Sequence, residues 1–209
     1  MGKLNPVTGA LTGVVGTVTL STWKGIHIMK SKRKATKERT ANQLQNEARM
    51  GMFSKFIYSM RELLDKTFLH YAVGKTGTNA AFSFNYKNAV AGEYPDFKIN
   101  YSQVIISRGG LPNATNPTVS TNADGEVIFT WTDNSGSGKA KANDTCIAVI
   151  HCPEHNQTIY KNTDTRKSGS SAVDAKLFKN KEVETWIGFM SANGKEVANS
   201  VYVGKVVVV

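Results

Sequence analysis

The sequence is poor in cysteine and has no long hydrophobic run. Its two cysteines, Cys146 and Cys152, are too few for the disulfide framework that stabilises many small secreted domains. No window approaches the roughly 20 apolar residues of a membrane span. The N-terminus, MGKLNPVTGALTGVVG, is interrupted by glycines, Asn5 and Pro6, so it lacks the apolar core of a signal peptide. We therefore expect a cytoplasmic protein without a membrane span, either free or incorporated into a virion or another assembly.

Acidic residues are also scarce relative to basic ones. The chain has 26 Lys and Arg against 16 Asp and Glu, for a net charge of +10. Such an excess favours anionic partners, namely nucleic acid, an acidic protein surface or lipid headgroups, although it also serves solubility alone. A hydrophobic content of 40% is ordinary for a folded protein, and 209 residues can bury a substantial core.

The longest helical pattern follows a basic run. Thr40 and Gln43 have the spacing of a capping box, which predicts a helix that begins at Ala41. Apolar residues then recur at steps of three and four to Phe68, so we predict one helix from Ala41 to about His70, in which Gly51 favours a bend. The basic run just before the helix consists of Lys30, Lys32, Arg33, Lys34, Lys37 and Arg39.

The residues before the basic run predict an extended arm and a β-hairpin. Strands are indicated at 14–20 and 23–29, with Ser21-Thr22 as the turn. Alternation places Trp23 with His27 and Met29 on one face of the second strand. Because two strands alone are marginally stable in water, the hairpin needs a covering surface. The residues that we predict to form an assembly surface are Val14, Val18, Trp23, Ile26 and Ile28.

Beyond residue 80 the apolar period changes from 3.6 to 2. Short strands separated by Gly, Asn, Asp and Pro turns are typical of an antiparallel, Ig-like sandwich, with Trp131 and Trp186 as core anchors. Whether the region contains one sandwich, or a sandwich with a separate sheet, stays open at this point. The predicted strands are 82–86, 97–107, 119–121, 126–132, 145–152, 158–160, 172–178, 183–190 and 200–208.

The best metal candidate in the sequence is TCIAVIHCPEH. It contains Cys146, His151, Cys152 and His155, which are residue types that bind zinc. On a strand, the two cysteines share a face but lie about 20 Å apart, which is too far for one ion or for a disulfide. Only His151, Cys152 and His155 could then meet, so we predict no metal, no cofactor and buried free thiols.

Motifs of known enzymes are absent. Gly74-Lys75-Thr76 resembles the end of a phosphate-binding loop, but Leu69 occupies the position of the required first glycine. Neither a Gly-x-Ser-x-Gly elbow nor an HExxH helix occurs. We predict a protein that is not an enzyme, and the sequence identifies no small-molecule substrate.

The basic run has two interpretations. Six cations in ten residues at a helix N-terminus can neutralise phosphates without reading a base sequence. No aromatic residue is interleaved with them, as recognition of single strands would require. An acidic protein surface satisfies the same charges, and a solvated connector is the third possibility.

Two blocks of sequence resemble a known family. They are STWKGIHIMKSKRKATKERTANQLQNEARMGMFSKF, and RKSGSSA together with VETWIGFMSANGKEVANSVYVGKV. Over nearly its full length the chain resembles an uncharacterised Bacteroidota family of proteins of about this length, known only as a domain of unknown function. The resemblance implies a cytoplasmic bacterial or phage origin and no activity. The predicted elements are also similar to those of small phage tail and capsid proteins, at the level of fold only.

The sequence thus predicts an α+β, mainly β protein. A basic arm, hairpin and long helix occupy residues 1–80, and an antiparallel sandwich occupies 81–209. The predicted function is a non-enzymatic structural or interaction subunit that forms homo-oligomers. The alternative is a nucleic-acid-binding protein that acts through residues 30–39.

Overall fold

The computed structural model describes residues 3–4, 11–23, 25–32 and 38–209. Two compact units make up the chain, Met1–Leu44 and Gln45–Val209. Strands outnumber helices and every strand pairing within the sheets is antiparallel, which confirms the mainly β class. Among the described residues, no helix has both the length and the apolar character needed to cross a membrane.

The first unit contains a four-stranded sheet, here called the N-terminal sheet. Its strands, in spatial order, are β1 (Lys3–Leu4), β2 (Leu11–Val15), β3 (Val18–Trp23) and β4 (Ile26–Ser31). The predicted turn at Ser21-Thr22 is wrong, because both residues lie within β3. The chain turns instead at Gly16 and at Gly25, with φ of 58° and 81°. Glycine adopts positive φ without steric cost, as tight hairpin turns require.

Three helices follow, where the sequence predicted one. They are α1 (Ala41–Tyr58), α2 (Arg61–Thr67) and α3 (Gly77–Ala89). The capping box is confirmed: Gln43 N donates to Thr40 Oγ1 at 3.3 Å, and Thr40 N donates to Gln43 Oε1 at 3.1 Å. The break lies at Ser59, whose hydroxyl donates to the Phe56 carbonyl at 2.7 Å. Such back-bonding competes with the helix ladder and bends helices.

Helix α3 replaces the strand predicted at 82–86. Thr76 caps it by accepting a hydrogen bond from Asn79 N at 3.1 Å. Phe82 and Tyr86 are four residues apart, and their rings stack at 5.2 Å on one side of the helix. The alternation of aromatic residues therefore mimicked a strand. The predicted strand 97–107 is also wrong, because only Lys98–Ile99 (β6) is extended, paired with Val90–Ala91 (β5).

The remaining strands form two sheets. Their order is β10-β9-β12-β13 in one sheet and β11-β8-β7 in the other. One hydrophobic core contains residues of both sheets, including Trp131 and Phe189, whose rings lie 5.6 Å apart. This arrangement confirms the predicted antiparallel sandwich. The strands are β7 (Thr115–Thr121), β8 (Glu126–Thr132), β9 (Thr145–Cys152), β10 (Gln157–Lys161), β11 (Ser170–Asp174), β12 (Glu182–Met190) and β13 (Val201–Val207).

In the second unit, the outer face of the sheet β10-β9-β12-β13 packs against the helices. A second core joins Phe53 and Phe56 of α1 to Val149 of β9 and Trp186 of β12. Strand β9 is buried on both faces, which explains its nearly continuous apolar sequence. The second unit thus has three layers. The boundary predicted near residue 80 falls within α3, and residues on both sides of it belong to this core.

Candidate functional site

The register of the N-terminal sheet decides which predicted assembly residues share a face. Trp23 pairs with Ile26, and Ser21 pairs with Ile28. Thr19 pairs with Val14 on one side and with Lys30 on the other. Directly paired residues of antiparallel strands point to the same face. Thr19, Ser21 and Trp23 are alternate residues of β3, so they share one face with their partners. We call it the Trp23 face, and it contains Val14, Trp23, Ile26, Ile28 and Lys30.

Val18 lies on the opposite face, which corrects the predicted grouping. It pairs with Val15 and with Ser31, and the same face contains Leu20 and Met29. The predicted placement of Trp23 with His27 and Met29 is also wrong. The turn at Gly25 separates Trp23 from β4, so alternation does not run through it.

Neither face of the N-terminal sheet is buried. Trp23 is 51% exposed, Ile26 58% and Met29 70%, and no residue described between 12 and 44 is buried. Sheets in folded proteins bury at least one face against another layer. This sheet is therefore an incomplete layer with apolar side chains on both sides.

The basic run continues from the end of β4. Lys30, Lys32 and Arg39 are exposed, while Arg33, Lys34 and Lys37 lie outside the described residues. Residues 1–40 contain eight Lys and Arg and one acidic residue, so they supply +7 of the net charge of +10. The positive charge of the protein is therefore concentrated in the first 40 residues of its sequence.

The structure separates the four residues of the metal candidate. Both cysteines are free and buried in the sandwich core, and burial raises the pKa of Cys146 to about 12. His151 points to the other face of β9, where its ring lies 4.8 Å from that of Phe56. His155 is exposed and stacks on Phe178 at 6.4 Å. In the described part of the chain, no group of three His, Cys, Asp or Glu residues is placed to hold a metal ion.

Sequence reasoning missed a cleft of about 680 Å³ in the second unit. Helix α1 forms one wall, the segment around β6 forms the opposite wall, and the β9–β10 turn closes one end. A signal was present, because Phe97, Ile99 and Tyr101 alternate, but it was assigned to a strand of the sandwich. The lining residues are Ala48, Met52, Lys55, Phe56, Phe97, Lys98, Ile99, Tyr101, Pro153 and Asn156.

Aromatic rings form part of the lining of this cleft. The rings of Phe56 and Tyr101 lie 5.5 Å apart in an edge-to-face arrangement. Burial, followed by the nearby Glu184 carboxylate, raises the pKa of Tyr101 to about 12, so its hydroxyl stays protonated at neutral pH. The cleft thus combines apolar surface with a neutral phenol.

The comparisons with known proteins concern family and fold. No curated protein matches the sequence. A solved structure, the fn3 domain of human collagen alpha-1(XX) chain, matches with 9% identity and a TM-score of 0.34, over 47% of this chain and 86% of that one. The profile of a family of unknown function, DUF6266, matches residues 10–204. The chain belongs to this family of unknown function.

Proposed function

We propose that the protein is a non-enzymatic structural subunit that self-associates through the Trp23 face of its N-terminal sheet. The observation that carries the proposal is that this sheet exposes large apolar side chains on both faces, and that none of the residues described between 12 and 44 is buried. Burying apolar surface yields roughly 25 cal/mol per Å², so a second layer is strongly favoured.

A second copy of the chain is the occupant that we propose. Strand β4 is at the edge of the sheet among the described strands, and an edge strand can pair with an identical strand of a second copy. A twofold axis would bring the same face of both copies into contact. We also propose that this assembly is cytoplasmic or virion-associated and belongs to Bacteroidota or their phages. This part of the proposal is based only on the two sequence blocks that resemble the Bacteroidota family.

The basic run gives self-association a distinctive salt dependence. Two N-terminal segments of charge +7 repel each other, and salt screens this repulsion beyond a Debye length of about 8 Å at physiological ionic strength. Added salt should therefore strengthen association between copies.

Nucleic-acid binding through residues 30–39 is the second candidate. The concentration of +7 in residues 1–40 favours it. Phosphate contacts release counterions, so this binding weakens linearly with the logarithm of salt concentration. The two candidates thus respond to salt in opposite directions.

Light scattering of the full chain in low and high salt, with absorbance at 260 nm on the same peak, tests the proposal. We expect an oligomer free of nucleic acid that persists or grows in high salt. The double variant Trp23→Ser/Ile26→Ser should shift the mass to that of one chain. The control Val73→Ser/Leu177→Ser, which also removes two exposed apolar side chains, should leave the mass unchanged.

Two outcomes would contradict self-association. One is a single-chain mass at high concentration in both salts. The other is a single chain that carries nucleic acid at low salt and releases it at high salt, which would favour the second candidate.

A further inference from the structure

We propose that the cleft between α1 and β6 binds a small organic anion with a planar apolar body. This inference concerns the second unit alone and does not rest on self-association. The volume of the cleft, about 680 Å³, lies within the range of roughly 300–1,000 Å³ typical of small-molecule sites.

The walls supply apolar surface on two sides. Ala48, Met52 and Lys55 are spaced at four and three residues, so they lie on one stripe of α1. Phe97 and Ile99 line the other wall, and both are half-buried. Because an aromatic ring and aliphatic groups face the same space, a flat apolar body can bury area against both walls.

The charge of the cleft has one sign. Lys55 and Lys98 line it and are exposed, and none of its ten lining residues is acidic. Some lysines of the second unit pair with carboxylates, such as Lys139 with Glu196 at 2.8 Å and Lys205 with Glu182 at 3.0 Å. Within residues 38–209, Lys55 and Lys98 form no such ion pair. An anionic group on the ligand complements them.

The closed end of the cleft is held in place. Asn156 adopts a φ of 48°, a left-handed conformation that Asn tolerates. Its side-chain amide donates to the Lys55 carbonyl at 3.1 Å, which ties the β9–β10 turn to the last turn of α1. Below the cleft, the Phe56 ring is fixed between Tyr101 and His151. The walls are therefore preorganised, which lowers the entropic cost of binding.

Calorimetric titration with naphthoate, a planar aromatic carboxylate, tests the proposal on the full chain. Naphthamide has the same shape without the charge and serves as the matched ligand. We expect saturable binding of naphthoate that is about tenfold tighter than binding of naphthamide, since two exposed cations contribute modestly each.

The variant Lys55→Met/Lys98→Met keeps the apolar stems and removes both charges. It should bind naphthoate about tenfold more weakly and naphthamide as before. The control Lys66→Met/Lys179→Met removes two exposed lysines outside the cleft and has the same net charge as the cleft variant. It therefore separates the effect of the two cleft lysines from the effect of a lower net charge. It should bind naphthoate like the unaltered protein.

The methyl NMR signal of Met52 locates the ligand. Its signal, assigned with Met52→Leu, should shift during the naphthoate titration, whereas that of Met29 on the N-terminal sheet should not. Equal affinity for the two ligands, equal effects of the two lysine variants, or an unshifted Met52 signal at the solubility limit of naphthoate would each overturn the proposal.

Discussion

At the scale of single residues, His151 is a buried group whose protonation depends on folding at mildly acidic pH. Burial lowers its pKa from 6.5 to about 4, and its Nδ1 lies 2.9 Å from Thr158 Oγ1. Between these pH values the unfolded chain binds a proton that the folded chain does not. Protonation of His151 in the unfolded chain therefore does not reduce the stability of the fold above pH 6.5. It reduces that stability progressively as the pH falls towards 4.

We predict that His151 lowers the free energy of unfolding by about 3 kcal/mol as the pH falls from 6.5 to 4. Urea unfolding at a series of pH values measures it, with His151→Gln as the variant that cannot titrate. The free energy of unfolding of the unaltered protein should fall more steeply with acidity. Glu184, paired with His151 across the sheet, has a pKa raised by burial and opposes this trend equally in both proteins. Parallel curves would contradict the assignment.

At the scale of elements, the packing of α3 on α2 depends on Gly77. A Cβ at this position would lie 2.5 Å from the Leu64 carbonyl oxygen and 2.7 Å from the Asp65 Cα. Thr78 completes the contact, because its backbone N and its hydroxyl both donate to Asp65 Oδ1 at 2.8 Å. The close approach leaves no room for a side chain.

We predict opposite effects of two Gly→Ala substitutions in the helices. Gly77→Ala should lower the free energy of unfolding by about 1–3 kcal/mol, because backbone atoms must move. Gly51→Ala should raise it by up to about 1 kcal/mol, since Gly51 lies inside α1 and a Cβ there meets nothing within 4 Å. Urea denaturation of both variants checks the pair, and effects of the same sign would refute this account.

At the scale of the whole molecule, the two cores lie entirely within the second unit. Every residue of the sandwich core and of the helix–sheet core is numbered 53 or higher. None of the residues described between 12 and 44, which include most of the N-terminal sheet, is buried. The stability of the second unit therefore does not depend on the described N-terminal residues through either core.

We predict that deletion of residues 1–38 leaves the free energy of unfolding unchanged within about 0.5 kcal/mol. The deletion removes Trp23 and leaves Trp131 and Trp186, which are both buried and report on the two cores by fluorescence. The same deletion should abolish the proposed self-association. A much larger loss of stability would show that the N-terminal segment contributes to folding of the second unit.

Local chemistry determined a large part of the fold. The capping pair Thr40 and Gln43 set the start of α1, because their hydrogen bonds span only three residues. Apolar patterns and turn residues were sufficient for most of the sandwich strands, including Glu126–Thr132 and Thr145–Cys152. The strand predicted at 172–178 is wrong in its second half, because β11 ends at Asp174 and Lys176–Phe178 form a 3-10 helix. Trp131 and Trp186 were predicted as anchors of the sandwich core. Both are buried, but only Trp131 belongs to that core, whereas Trp186 lies in the core between the sheet and the helices.

Only the tertiary structure decided the features that depend on distant partners. Phe82 and Tyr86 alternate like strand residues, yet they pack on Phe53 of α1 as part of a helix. The faces of the N-terminal sheet followed from a register that Gly25 sets and that alternation alone did not reveal. The cleft joins residues more than 40 positions apart, so the alternation of Phe97, Ile99 and Tyr101 did not by itself reveal it. The sequence by itself determined the start of α1 and most of the sandwich strands, because their signals are local. Packing decided the helices that depend on distant partners and which residues meet.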